Sequence, residues 1–274
     1  MSRTNPKGDL VSVIIATYQY DLDRLAKALQ SVFDQTYAPI EIVICDDGST
    51  VPLTTATEQL LTKCHNHQNM PIVLTANLQN RGISAARNKA VAASKGKWLV
   101  WLDDDDTLAA DCIEQLIVHS EGYTMVIGEC IVSENGTVTR RKPKPYFEEA
   151  KQYFRTKKDP FLLNIISIQP QLVDKITFDQ LRGFDESFLY AELTDFFLRY
   201  LLLKGISTLD FIEEAIYFYD RTREGTVTSK REILFKYRLQ ALNRYKEGIN
   251  IVHKLYYNKR DSISMMQTYK LANL

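Results

Sequence analysis

Two groups of carboxylates stand where a parallel sheet would present them to a ligand. Asp46 and Asp47 close one apolar run, "IEIVICDD" (residues 40–47), and Asp103, Asp104, Asp105 and Asp106 close another, "KWLVWLDDDD" (residues 97–106). Adjacent like charges repel, and taking them out of water either costs several kcal/mol or neutralises them. A divalent cation removes that conflict. Carboxylate oxygens are the ligands Mg2+ and Mn2+ prefer, and Mg2+ commonly takes only one or two of them, with phosphates and water completing its shell. An Asp-x-Asp pair behind a buried strand therefore points to a metal that holds phosphates. The competing reading is an acidic segment at the N-terminus of a helix starting near Thr107, where the helix dipole favours acids. The buried strand behind the four aspartates, and the second acidic pair at Asp46–Asp47, favour metal and phosphate.

These carboxylates need a scaffold, and the first half of the chain supplies one by alternation. "LVSVIIATY" (10–18), "IEIVICDD" (40–47), "PIVLTAN" (71–77) and "KWLVWL" (97–102) are short runs rich in β-branched and aromatic residues. Between them lie helical patterns: Leu22, Leu25, Leu29, Val32 and Phe33 on one face, then "GSTVPLTTATEQLLTKC" with Ser49 or Thr54 as caps, then the small-residue segment 82–96 closed by a glycine. Residues 108–119 read as a further helix. Strand and helix in turn predict an α/β fold, a mainly parallel sheet with helices on both faces. Ligands of such sheets bind beyond the carboxyl ends of the strands. Three of those ends are polar: Thr17-Tyr18, Asp46 to Ser49, and the four aspartates. The fold predicts that they converge on one crevice. Neither GxxxxGK[ST] nor GxGxxG occurs in the chain, so any nucleotide is bound without those devices.

The second half is less regular. "VIGECIVSENGTVTRR" reads as a hairpin around Asn135-Gly136, "NIISIQPQLVDKITF" as a strand into a short helix, and "LRGFDESFLYAELTDFFLRYLLLKG" as a loop and an amphipathic helix. "STLDFIEEAIYFYDRT" gives one or two late strands, and the chain from about Ser229 is helix-rich. Composition narrows the partners. The 274 residues carry 34 basic and 34 acidic side chains, a zero net charge that excludes the strongly basic footprint of a nucleic-acid binder. No apolar leader or span-length run is present, so the four cysteines read as reduced thiols of a cytoplasmic protein. "CHNHQN" (64–69) lacks a second ligand pair at zinc-finger spacing and reads as a polar loop.

The order and spacing of "VSVIIATYQYD", "PIEIVICDDGST", "NRGISAARNKA" and "SKGKWLVWLDDDDTL" resemble the family 2 glycosyltransferases of the GT-A fold, over about residues 11–108. Weaker likeness continues through "LRGFDESFLYAELTDFFLRY" and "AIYFYDRTREGTVTS". The resemblance implies a GT-A (Rossmann-like) domain over 1–228, with a nucleotide-binding half at about 10–108 and an acceptor half at about 109–228, followed by a helical C-terminal extension at 229–274. It implies transfer, with inversion, from a nucleotide-sugar donor, usually a UDP-sugar, to a glycan or lipid-linked saccharide acceptor, with Mn2+ or Mg2+ as cofactor. It places Ala16, Thr17 and Tyr18 along the nucleotide, Asp47 at the base with Asp46 beside it, and Asn80 and Arg87 beside the nucleotide or its phosphates. Asp105 becomes the direct metal ligand, with Asp103 nearer the ribose as the other half of the metal motif. Asp104 fills the variable position, and Asp106 positions the donor sugar.

The chain departs from the family in two places. Inversion requires a general base for the acceptor hydroxyl. The family's base segment reads Glu-Asp, whereas this chain has Glu192-Leu193-Thr194-Asp195, with Leu193 at the usual base position. Glu192 is then the first candidate and Asp195 the second, unless Asp195 only pairs with Arg199 at i,i+4. The family's His after the late strand is also absent, leaving Arg221 and Arg223 to reach a diphosphate or to form a solvated loop. His119 and His253 read as helix-surface residues. Tyr146, Phe147, Tyr153, Phe154, Phe188, Tyr190, Tyr217, Phe218 and Tyr219 read mostly as packing, some as an acceptor groove. The clusters "RRKPK" (140–144) and "RTKK" (155–158) read as solvated loops, with peripheral contact to anionic lipid at an inner membrane face as the alternative. Two other functions compete with transfer. A sugar nucleotidyltransferase would need a Gly-rich loop that "ATYQYD" lacks. A non-catalytic sugar-nucleotide-binding subunit would account for Leu193.

Overall fold

The computed structural model describes residues 8–65, 70–134, 136–141, 169–221 and 231–245. The first half alternates as the sequence predicts: β1 (Val11–Thr17), α1 (Leu22–Phe33), β2 (Ile40–Asp46), α2 (Leu53–Thr62), β3 (Ile72–Ala76), α3 (Ile83–Ala93) and β4 (Trp98–Asp103). Then come β5 (Thr107–Leu108), α4 (Cys112–Val118), β6 (Met125–Glu134), β7 (Thr137–Arg141), β8 (Gln171–Asp174), α5 (Lys175–Gln180), α6 (Glu192–Lys204), β9 (Leu209–Asp220) and α7 (Arg231–Tyr245).

The strands form one sheet in the order β3-β2-β1-β4-β8-β6-β9-β5, with β7 paired to β6. β1, β2, β3 and β4 run parallel; β8 enters antiparallel between β4 and β6, and β6 runs parallel to β9. β2 is buried along its whole length and β1 at all but one position, which is why both read as near-continuous apolar runs rather than alternating ones. Each Val, Ile or Leu so buried is worth about 1.5–3 kcal/mol.

α1 starts where Asp21 accepts from the N–H groups of Asp23 and Arg24 at 2.9 and 3.2 Å, and it buries Leu25, Leu29, Val32 and Phe33 as its stripe predicts. On the other face of the sheet, Trp101 of β4 packs with Phe178 and Phe184, which in turn pack with each other and with Phe196, ring centroids 5.1–5.5 Å apart, and so seat α5 and α6.

Three local expectations change. Residues 107–108 form a strand on β9, and the helix after them begins only at Cys112, so the four aspartates do not lie in a helical first turn. The cap of α2 is neither Ser49 nor Thr54: Pro52 holds the N-cap position, and the side chain of Asp46 accepts from the Leu53 N–H at 2.8 Å. The small-residue helix stops at Ser94, ahead of Gly96. The late strand is one element, β9, and the hairpin expected at 135–136 joins β6 to β7. α7 lies against α6, with Tyr237 on Phe188 and Tyr190, ring centroids 6.1 and 5.5 Å away. Among the described residues no helix is long and apolar enough to cross a membrane.

Candidate active site

The sheet order reverses at β1: β2 and β3 follow on one side, β4 lies on the other. Open α/β sheets take their ligands at such a switch point, in a crevice outside the carboxyl ends of the parallel strands. Register sets what lines it. Thr17 pairs with Asp46 and Ala16 with Asp103, so the three polar strand ends lie at one level. The hydroxyl of Thr17 donates to Asp104, across the crevice floor. Tyr18, just beyond, is exposed.

Asp46 and Asp47 are both buried and spend their oxygens on the protein. Asp46 accepts from the N–H groups of Ser49 at 2.9 Å and Leu53 at 2.8 Å, which fixes the turn into α2. Asp47 accepts from Asn77 Nδ2 at 2.7 Å, from the Arg81 N–H at 3.1 Å and from the Gly82 N–H at 2.7 Å. It thereby straps the loop 77–82, which carries exposed Asn80, onto the end of β2. Gly48 permits that approach: its φ is +78°, and a Cβ there would stand 2.5 Å from the carbonyl carbon of Gln79.

The acidic turn is held from β9. Asp103, Asp104 and Asp105 are partly buried, whereas Asp106 is 3% exposed. The Tyr217 hydroxyl donates to Asp106 Oδ2 at 2.7 Å, and the Asp220 N–H donates to Asp106 Oδ1 at 2.8 Å. Burial, then the charges of Asp103 and Asp105, push the Asp106 carboxyl up to about 8, against the pull of those two donors. Asp106 faces the protein as an anchor of the turn.

Arg87 joins the two halves of the site. It lies on α3, is 1% exposed, and donates through its two terminal nitrogens to Glu192 Oε1 and Asp103 Oδ1, both at 2.6 Å. Its guanidinium carbon stands 5.7 Å from the centroid of the Phe184 ring. The resemblance sets this cation beside the nucleotide or its phosphates; in the structure it is buried and bridges a strand end to the head of α6. Glu192 opens α6 and is 8% exposed. Leu193 is buried beside it. Asp195 is 0% exposed and gives Oδ2 to Arg199 at 2.8 Å and Oδ1 to the Tyr245 hydroxyl at 2.8 Å. The i,i+4 pair with Arg199 is thus formed, and α7 adds to it.

The donor chemistry of the turn fits a hard divalent ion. Among the described residues no group of three or more His, Cys, Asp or Glu side chains forms a metal cage. Mg2+ does not need one, since one or two carboxylates with phosphate and water suffice. Asp103 and Asp105 offer two carboxylates in a field negative enough to raise Asp106.

Elsewhere, Arg221 stands 3.8 Å from Glu134, and its guanidinium lies over the Tyr219 ring at 5.8 Å. Phe188 and Tyr217 are core residues. Arg140 of the basic cluster reaches Glu129 from β7. Arg223, His67, His253, Tyr146, Phe147, Tyr153, Phe154, residues 142–144 and the cluster at 155–158 lie outside the described residues. Sequence reasoning missed Asn77 and the anchoring role of Tyr217. The second had a faint signal in the alternation "YFYD", which turns Tyr217 and Tyr219 to one side of β9.

A parallel half with acids at its strand ends, continued by a mixed half that brings a helix with a carboxylate toward the same strand ends, defines the GT-A class of glycosyltransferase fold. Residues 12–173 match the family described as Glycosyl transferase family 2, more than half of the chain, and the protein belongs to that family. It is 26% identical over 236 residues to an uncharacterized glycosyltransferase of Methanocaldococcus jannaschii, covering 83% of this chain and 77% of that one. It is 28% identical over 219 residues to the GalNAc(5)-diNAcBac-PP-undecaprenol beta-1,3-glucosyltransferase of Campylobacter jejuni, covering 80% of this chain and 67% of the relative. Among solved structures it resembles S. aureus TarS 1-349 in complex with UDP-GlcNAc, with a TM-score of 0.61 and 18% identity, covering 85% of this chain and 66% of that one.

Proposed function

We propose that this glycosyltransferase moves a hexosyl or N-acetylhexosaminyl group from a UDP-sugar to a lipid-linked saccharide or glycan, with inversion, in the building of a surface polysaccharide. The observation that carries this reading is the Asp103–Arg87–Glu192 bridge, two bonds of 2.6 Å, which sets the carboxylate of the nucleotide-side strand and the carboxylate heading α6 at one crevice. The Campylobacter relative's lipid-diphosphate-linked acceptor supports the acceptor class, and the UDP-GlcNAc complex of TarS supports the donor class.

In this reading the uridine lies along Ala16, Thr17 and Tyr18, with the Asp47-strapped loop and Asn80 at its rim. Asp105 and Asp103 would hold Mn2+ or Mg2+, which supplies neutralisation of charge on the departing diphosphate. Glu192, oriented by Arg87, takes the proton of the acceptor hydroxyl. That oxygen forms a bond to the anomeric carbon from the side opposite the diphosphate, whose bond breaks and which leaves with the electron pair. One displacement inverts the centre and needs no protein nucleophile. Asp195, with its oxygens committed to Arg199 and Tyr245, belongs to the fold rather than to this chemistry.

The test is nucleotide release from UDP-, GDP- and dTDP-sugars with Mn2+, comparing wild type with Asp105→Ala and Glu192→Gln. Metal-dependent release from a UDP-sugar, lost in Asp105→Ala, is the expected result. Glu192→Gln should still bind donor and fail to transfer. Donor binding without transfer to any acceptor in the wild type would instead mark a non-catalytic binding subunit, and no binding of any donor would remove the proposal.

A further inference from the structure

We propose that Tyr217 is a positioning residue for sugar transfer: a phenol clasp that closes the acidic turn and presents Asp103 and Asp105 to the donor. The inference rests on the functional reading above. Its observation is a pair of bonds on one oxygen. The Tyr217 hydroxyl donates to Asp106 Oδ2 at 2.7 Å and accepts from the Asp103 N–H at 3.1 Å, so a single atom ties the first and last residues of the turn together. A hydroxyl can do both at once, and no carboxylate, amide carbonyl or ring carbon can.

The neighbourhood shows why the clasp is needed. Within the turn the Asp106 N–H reaches the Asp103 carbonyl at 3.3 Å, a long bond that leaves the loop weakly closed on its own. Register holds the phenol in place: Leu108 pairs with Tyr217 and Thr107 with Phe218, so the strand leaving the turn is sewn to the strand that carries the clasp. The ring is wholly buried, with its centroid 4.9 Å from that of Tyr219. Asp106, which spends its oxygens on Tyr217 and on the Asp220 N–H, is the buried foot of the turn, and the three preceding aspartates are only partly buried. Without the phenol, a buried carboxylate loses a partner and the Asp103 N–H loses its acceptor. The spacing of Asp103 and Asp105 would then no longer be set before the donor arrives.

The experiment uses the full chain and the substitution Tyr217→Phe, which keeps the ring and removes both bonds, with Tyr219→Phe as the neighbouring control. Amide hydrogen exchange of the peptide spanning 103–108 is read first, without ligand. It should rise in Tyr217→Phe and stay at the wild-type rate in Tyr219→Phe; equal protection in Tyr217→Phe overturns the clasp whatever the protein binds. Calorimetric titration with UDP in Mn2+ comes second. Affinity should fall by at least about tenfold in Tyr217→Phe, the scale of one or two lost hydrogen bonds, with Mn2+ binding by paramagnetic resonance weakened in parallel. Faster exchange with unchanged UDP and Mn2+ affinity overturns the positioning role. If wild type binds no UDP with any metal, the functional reading falls and the positioning role with it, while the exchange result still decides the clasp. Should Tyr217→Phe be insoluble, Asp106→Asn replaces it in the same measurements, with the same direction expected.

Discussion

Arg87 donates to Glu192 at 2.6 Å from inside the core, with only 1% of its surface exposed. A guanidinium so placed needs both of its carboxylates. Removing one partner of a buried ion pair is strongly destabilising, because the remaining charge is stranded. Arg87→Met is therefore expected to lose roughly 3–5 kcal/mol of stability in urea unfolding. The double substitution Arg87→Met, Glu192→Gln should be more stable than Arg87→Met alone, since it removes one of the two stranded charges. A double variant no more stable than the single one would mean that Glu192 does not depend on this pairing.

Asp195 makes the opposite prediction to Glu192, three residues away. Its oxygens are held by Arg199 and by the Tyr245 hydroxyl of α7, each at 2.8 Å. Asp195→Asn should lower stability by about 1–3 kcal/mol through the weakened bonds and leave turnover near wild type when assayed well below the melting temperature. Turnover that collapses while the melting temperature holds would move the base from Glu192 to Asp195.

Local pattern carried the parallel first half. The β-branched runs of β1 and β2 are buried on both faces and so announce themselves without context, and the acids behind β2 and β4 lie at strand ends because the runs stop there. The i,i+4 spacing of Asp195 and Arg199 was equally readable. What could not be read is long-range. Arg87 and Glu192 are 105 residues apart and Tyr217 and Asp106 are 111 apart, and both pairs exist only because the sheet places β9 and α6 beside the crevice. Strand order has no local signature either: β8 enters antiparallel between β4 and β6, which the βαβ rhythm does not foretell. The two-residue strand at 107–108 is too short to show a period, so an apolar stretch there was absorbed into the helix that follows it.

Two glycines test how tightly the Asp47 loop is seated. Gly48 and Gly122 share a left-handed backbone, with φ of +78° and +82°. A Cβ on Gly122 would meet nothing within 4 Å, whereas one on Gly48 would stand 2.5 and 2.6 Å from the backbone of Gln79. Gly122→Ala should cost about 1 kcal/mol, the strain of the conformation alone. Gly48→Ala should cost more than about 2 kcal/mol, because the loop must also back away from the turn. Urea midpoints measure both. Equal losses would show that loop 77–82 is not pressed against β2 as described.

The tie between α7 and the loop before α6 carries a signature in acid. Burial alone would raise the Asp185 carboxyl. The hydroxyl and N–H of Ser187 and the Arg244 guanidinium, whose Nη1 lies 2.5 Å away, outweigh it and hold the group down at about 2 against an ordinary 3.8. A carboxyl depressed in the folded state adds stability that is fully present above its unfolded value, near pH 4, and lost as pH falls through about 2. Both side chains of the pair are about one-third exposed or more, so solvent screening limits the effect to under about 1 kcal/mol. Asp185→Asn should therefore be slightly less stable than wild type at pH 6, and the gap should close between pH 4 and pH 2. Raising salt at pH 6 should narrow it too. A gap that stays constant down to pH 2 would show that Asp185 contributes through its shape and its contact with Ser187, and that its charge does nothing for the docking of α7.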